Sequence, residues 1–222
     1  MASHSFVDLT LDRLREFVEL RDQGIQQHLW DERRGGDLTE REQVFVSVLC
    51  EHLLSERTTL LNEATIWARA IYPLLELAER DDVRAYAEVS LSAKLGYGEL
   101  RGEVDGELAT RGLDAQAVSP YLVVVEAKRG VEGTDPIAQL HGALLCAAWQ
   151  NHRRQPLPEH RIYGAYTVAD TWSFVECTAT GLDEARPTMT TAGSREYLER
   201  TEATTILLVL KSLVAEQLTH RT

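Results

Sequence analysis

The residues from Glu99 to Lys128 constrain the fold of this chain more than any other stretch. Glu103, Asp105 and Glu107 alternate with Val104, Gly106 and Leu108. After a polar connection over 111–120, Tyr-Leu-Val-Val-Val-Glu-Ala-Lys runs from Tyr121 to Lys128. Period-two alternation and a β-branched apolar run are both strand patterns. Strand geometry then predicts Glu103, Asp105 and Glu107 on one face. It also places Glu126 and Lys128 on one face of the second strand, with Val123, Val125 and Ala127 on the other. Antiparallel pairing across the connection would bring Asp105 close to Glu126 and Lys128. Two carboxylates and an ammonium at the ends of hydrophobic strands are costly unless something neutralises them. A hard divalent cation held by oxygen ligands would do so.

The rest of the chain supplies elements to flank these strands. Leu14, Phe17, Val18 and Ile25 predict an amphipathic helix over 6–30, broken at 31–36 by a glycine pair. Asp37, with Glu40 three residues on, predicts the start of a helix through Val44, Phe45, Val48, Leu49 and Leu53. A second helix is expected over 58–80, bent near Pro73. Ala85, Ala87, Val89 and Leu91 predict one face of a strand over 85–94, turned at Gly96-Tyr97-Gly98 into the Asp105 strand. Asp135-Pro136 predicts a helix start, with Ile137, Leu140, Leu144, Leu145 and Ala148 as its buried stripe. A hairpin follows over 161–168 and 171–179, turned at Ala169-Asp170. Residues 181–194 read as irregular with one short strand, and 196–218 as a closing helix.

Charge and cysteine usage narrow the function. The net charge of −12 argues against a broad nucleic-acid-binding surface. Contact with nucleic acid would need local basic spots, a homodimer or a partner protein. His152, Arg153 and Arg154 form the densest basic spot in the second half, and Arg129 follows the Lys128 strand. Lys94, Lys128 and Lys211 are the only lysines, which makes the compact, titratable ammonium of Lys128 informative. Cys50, Cys146 and Cys177 have no metal-ligand spacing, and their odd count argues against a disulfide framework. No window reads as a membrane span or a secretory leader, so a cytoplasmic protein is expected. His141, His152 and His160 form no ligand pattern, and no P-loop, nucleophile elbow or dinucleotide fingerprint is present.

Asp105 and the tripeptide Glu126-Ala127-Lys128 on the following strand resemble the aspartate and E-x-K of the PD-(D/E)XK nuclease superfamily. Val104 stands where many members have proline. Asn62-Glu63-Ala64-Thr65-Ile66-Trp67-Ala68-Arg69-Ala70-Ile71-Tyr72-Pro73-Leu74-Leu75 is similar to the first helix of the nuclease domain in type I restriction motor subunits and related standalone proteins. The resemblance covers roughly 58–179. It implies an α/β (α+β), restriction-endonuclease-like fold with a central mixed sheet flanked by helices. A helical extension over 1–57 and a closing helix over 196–218 would be additions to it. It further implies Mg²⁺ or Mn²⁺ held by Asp105, Glu126, the Ala127 carbonyl and Glu63, with Lys128 assisting the attacking water. Glu56 and Glu51 compete with Glu63 for the helix position. Gln139 matches a glutamine often found on the helix after E-x-K; the alternative is an exposed polar residue. Arg129, Arg153 and Arg154 are the candidate nucleic-acid contacts. The implied activity is phosphodiester hydrolysis, with DNA as the expected substrate in defence or repair. A catalytically silent relative used for binding or assembly is the alternative.

Overall fold

The computed structural model describes residues 3–32, 38–128 and 136–219. Its centre is an eight-stranded mixed sheet. In chain order the elements are β1 (Ser3–Ser5), α1 (Leu11–Phe17), β2 (Glu19–Ile25), α2 (Leu29–Glu32), α3 (Glu40–Ser55), α4 (Glu63–Ile66), a π turn (Trp67–Ile71) and α5 (Tyr72–Leu77). Then come β3 (Val83–Leu95), β4 (Gly98–Arg111), β5 (Ala117–Lys128), α6 (Ile137–Arg154), β6 (Glu159–Val168), β7 (Thr171–Thr180), β8 (Thr188–Leu198) and α7 (Glu199–Thr219). The strand order is β1-β4-β5-β6-β7-β8-β2, with β3 on the other edge of β4. β5 and β6 are parallel, joined through α6, as parallel neighbours require a crossover. β6, β7 and β8 form an antiparallel meander.

Two cores lie on the two faces of the sheet. One packs α3, α4, α5 and α7 against Leu108, Val123, Val125, Ala127 and Tyr163. The other packs Phe6, α1 and α6 against Leu100, Val104, Ala109 and Ile162. The strands over 83–95, 98–111, 117–128 and 159–168 and the helix over 137–154 stand where the sequence predicts them.

The N-terminal reading needs correction. Residues 6–30 are not one helix, and 1–57 is not a purely helical extension. Between residues 6 and 28 only Leu11–Phe17 is α-helical, while Ser3–Ser5 and Glu19–Ile25 join opposite ends of the sheet by parallel pairing to β4 and β8. Leu14, Phe17 and Val18 are buried as the apolar spacing demands, but Gly24 takes a φ of 68° that a helix cannot hold. At α3 the capping residue is Thr39, which forms a capping box with Glu42. Asp37, like Arg129 and Asp135, lies outside the described residues.

The expected long helix over 58–80 is interrupted as well. Proline at 73 cannot donate to the carbonyl of residue 69. The chain absorbs this with the π turn, where the Tyr72 amide donates to the Trp67 carbonyl. Residues 181–194 are more regular than expected, since β8 is a full strand of 11 residues.

The expected face pattern of β3 and β4 also fails, at one place in each strand. Val104 belongs to the α6-side core, while Leu108 belongs to the other core. Two positions of equal parity in a regular strand would share a face with Gly102 and Gly106. Instead, a β-carbon at Gly102 would lie 2.2 Å from the Phe6 ring, and one at Gly106 would lie 2.1 Å from Trp67 Cη2, on opposite faces. β4 therefore turns over at Asp105. β3 turns over across from it, with Leu91 in one core and Ala85 in the other. Glu88, between the pairs Ala87–Gly106 and Val89–Val104, has a φ of 55°. Glu103, Asp105 and Glu107 thus do not share a face: Glu103 is exposed and Glu107 is wholly buried.

Candidate active site

The reversal in β4 is what positions Asp105. Regular pairing between β4 and β5 ends at Gly106 and Val125. Beyond that point the Asp105 side chain replaces the ladder, and its Oδ2 accepts from the Ala127 amide at 2.6 Å. Farther along the same edge, β4 pairs with β1 from Glu99 to Arg101. The Asp105 carboxylate thus occupies a gap in the sheet between β5 and β1. A non-glycine residue in the left-handed region carries strain of about 1–3 kcal/mol, and such residues cluster where geometry serves a site. Glu88, directly across from Asp105, is one of these.

β5 supplies the other two groups. Val125 and Ala127 are buried in the α7-side core, so Glu126 and Lys128 point to the opposite face. Lys128 Nζ lies 3.9 Å from Asp105 Oδ2 and 3.7 Å from Glu126 Oε2. The Glu126 side chain is 4% exposed, Lys128 14% and Asp105 33%, so the trio opens to solvent on the Asp105 side. The Lys128 carbonyl is fixed by the Ala169 amide of the β6–β7 turn at 2.8 Å.

Burial pushes the Glu126 carboxyl up to about 8, the Asp105 charge adds to the shift, and Lys128 opposes it. Near neutral pH the trio therefore holds a proton on Glu126. Glu126 Oε1 is buried and has no hydrogen-bond partner among the described residues. A buried oxygen left in this way calls for a proton donor or a cation.

The remaining candidates are placed less closely. Glu63 is the first residue of α4, behind the Asn62 cap, and is half-buried. Among the described residues no group of three or more His, Cys, Asp or Glu is arranged to hold a metal. Glu56 is engaged by Arg69 at 2.8 Å, and Glu51 is exposed on α3. Gln139 sits in the first turn of α6 with its Oε1 buried and, among the described residues, unpartnered. Arg153 and Arg154 lie at the other end of α6, roughly 20 Å from Gln139 at about 1.5 Å per helical residue.

Glu107 is the residue whose setting the sequence did not reveal. It is wholly buried, both carboxylate oxygens lack partners among the described residues, and burial raises its carboxyl well above the usual range. Simple alternation puts it beside Asp105 at the surface; only the reversal at Asp105 carries it inside.

The trio offers two carboxylates, the donor type that hard divalent cations take, beside one ammonium. No protein-family model matches this chain, and no curated protein is significantly similar to it.

Proposed function

We propose that the chain is a metal-dependent phosphodiesterase acting on nucleic acid, with DNA as the expected substrate. The observation that carries this reading is the convergence of Asp105, Glu126 and Lys128 where β4 leaves β5, with a buried Glu126 oxygen left unpartnered among the described residues. Asp105 and Glu126 would hold Mg²⁺ or Mn²⁺, with the Ala127 carbonyl as a further oxygen and Glu63 acting through water. When bound, the ion would polarise a phosphoryl oxygen and acidify a water. Lys128 orients the attacking water and offsets the charge that develops on phosphorus. Asp105 positions its neighbour through the Ala127 amide, and the buried Glu126 gives up its proton when a cation arrives.

The restriction-endonuclease-like identity of the fold belongs to the same proposal. It is supported by the order of helix, three antiparallel strands, helix and parallel strand over 63–168. Cytoplasmic residence fits the three free thiols and is proposed on the same footing. No helix among the described residues is long and apolar enough to cross a membrane.

The deciding experiment is cleavage of circular and linear DNA and of RNA with Mg²⁺ or Mn²⁺, comparing the wild type with Asp105→Asn. Metal-dependent cleavage lost in the variant is the expected result. No cleavage of any substrate would refute the reading. A second reading, a catalytically silent binding or assembly module, is favoured by the net charge of −12. Melting with and without Mn²⁺ separates site from scaffold, because an ion bound only by the folded state raises Tm.

A further inference from the structure

The far end of β5 carries a second polar feature that the phosphodiesterase chemistry does not use. β4 and β5 pair at Ala109 with Tyr121 and next at Thr110 with Val118, so Ser119 and Pro120 have no partners on β4. Two extra residues in one strand make a bulge, which bends the strand and opens its edge. The bulge is held, not loose. Asn151 of α6 accepts from the Tyr121 amide at 2.8 Å and donates to the Tyr121 carbonyl at 2.9 Å. Arg154 donates to the Ser119 carbonyl. Gln150 donates to the Ser92 carbonyl of β3 at 3.0 Å.

Between this bulge and the last turn of α6 lies a cleft of about 520 Å³, lined by Ser119, Tyr121, Trp149, Gln150, Arg153 and Arg154. The Arg153 guanidinium stands over the Trp149 ring, 5.7 Å from its centroid. Arg153 and Arg154 are exposed, and Trp149 is half-buried against the α6-side core. In a chain of net charge −12 this is a local concentration of guanidinium groups around an aromatic face. An aromatic platform with adjacent cations suits a base attached to a phosphate, and the pairing is tolerant of sequence. The cleft has the volume of a small-ligand site, too small for a duplex.

We propose that this cleft binds a single-stranded segment of nucleic acid, with one base on Trp149 and backbone phosphates on Arg153 and Arg154. Tyr121 precedes Glu126 on the same strand by roughly 17 Å at about 3.3 Å per residue. A strand held in the cleft therefore reaches the carboxylates after about five nucleotides at stacked spacing. The choice of nucleic acid as ligand rests on the phosphodiesterase reading, and the test below reads binding without cleavage.

The probe is a fluorescein-labelled oligothymidylate of about ten nucleotides, a length within the usual footprint of such surfaces. Anisotropy is measured in EDTA across a salt series, with oligouridylate and a duplex of equal length alongside. The wild type should bind the single strands in preference to the duplex. Arg153→Gln with Arg154→Gln should weaken binding and lower the log–log salt slope by about 1.4, the loss of two phosphate contacts. Trp149→Ala should weaken it about 5- to 150-fold, and Trp149→Phe should keep most of the affinity. Because Trp149 also packs inward, the exposed arginine pair carries the test if Trp149→Ala misfolds. The proposal is overturned if the wild type binds neither single strand, if the arginine variant binds as the wild type does, or if the duplex binds equally well with the same arginine dependence. Oligouridylate bound in place of oligothymidylate keeps the cleft and makes RNA the ligand. Metal-dependent cleavage by a protein that fails this test keeps the phosphodiesterase reading and removes the cleft.

Discussion

Replacing Glu199 with glutamine should make the protein less sensitive to alkaline pH. Glu199 opens α7 and is wholly buried. Its Oε2 accepts from Trp172 Nε1 at 2.6 Å, and its Oε1 has no partner. Burial raises its carboxyl from the ordinary 4.5 to about 8; the Trp172 hydrogen bond opposes this, and the Asp170 charge adds to it. Between those two pH values the folded protein keeps a proton that the unfolded chain releases. Stability therefore falls as pH rises through that window, by about 1.4 kcal/mol per pH unit. Over the whole window the loss is about 5 kcal/mol, an upper figure because water penetration softens burial. Glutamine keeps an acceptor for Trp172 and carries no titrating proton. Glu199→Gln should thus match the wild type near about pH 5 and exceed it by up to about 5 kcal/mol at the alkaline end of the window. Urea unfolding of both proteins at several pH values gives the difference directly, and the titrations of Glu107 and Glu126 cancel in it. A difference that stays flat with pH would show that Glu199 is already ionised in the folded state, and the reasoning would fail.

Other expectations follow from single features. Lys128→Ala should abolish cleavage while calorimetric Mn²⁺ binding persists, because Lys128 supplies no metal ligand; Asp105→Ala should abolish both, and Lys128→Arg should rescue little. Full cleavage by Lys128→Ala would exclude the proposed role. Gly106→Ala should destabilise by about 1–3 kcal/mol in urea unfolding, because the new methyl meets Trp67 Cη2 at 2.1 Å; an unchanged midpoint would mean the ring moves freely. His28 is buried with Nδ1 3.3 Å from Glu176 Oε2 and Nε2 3.0 Å from the Gly193 carbonyl, so both ring nitrogens face acceptors. Burial pulls its pKa down, but the Glu176 hydrogen bond, the Gly193 carbonyl and the Glu176 and Asp31 charges outweigh it, and the net shift is upward. Its contribution is then full below the ordinary 6.5 and is lost as pH rises through the raised value. The Tm gap between the wild type and His28→Gln should narrow with rising pH, and a constant gap would count against a charged imidazole.

What was legible in the sequence was whatever local chemistry decides. The apolar run at 121–128, the Ala169-Asp170 turn and the stripe of α6 stand as their periodicity predicts, because neighbours along the chain fix them. Asp105, Glu126 and Lys128 were legible as residue types at a spacing. The face reversal at Asp105 was not, since it depends on Trp67 and Phe6 seating on opposite sides of β4 at two glycines. Glu107 was misplaced for the same reason. Leu14, Phe17 and Val18 satisfied a helical spacing, yet the residues after them pair with β8, a partner far along the chain; distant pairing overrides weak local propensity. The Thr-rich segment that forms β8 shows little apolar alternation, so its strand character emerges only from pairing on both edges.

The N-terminal strands have a consequence for synthesis. β1 and β2 leave the ribosome well before the segments they pair with, because β1 needs Glu99–Arg101 and β2 needs Thr188–Gly193. At about 5–20 residues per second, the β2 segment waits roughly 10–35 s for its partner. Until then its backbone donors and acceptors are open to any other strand edge. The β2 edge of the sheet is therefore completed only after β8 has been made. Pairing of β2 is gated by synthesis of β8, and premature termination near residue 180 would release chains with the β7 edge bare and the β2 segment unmatched.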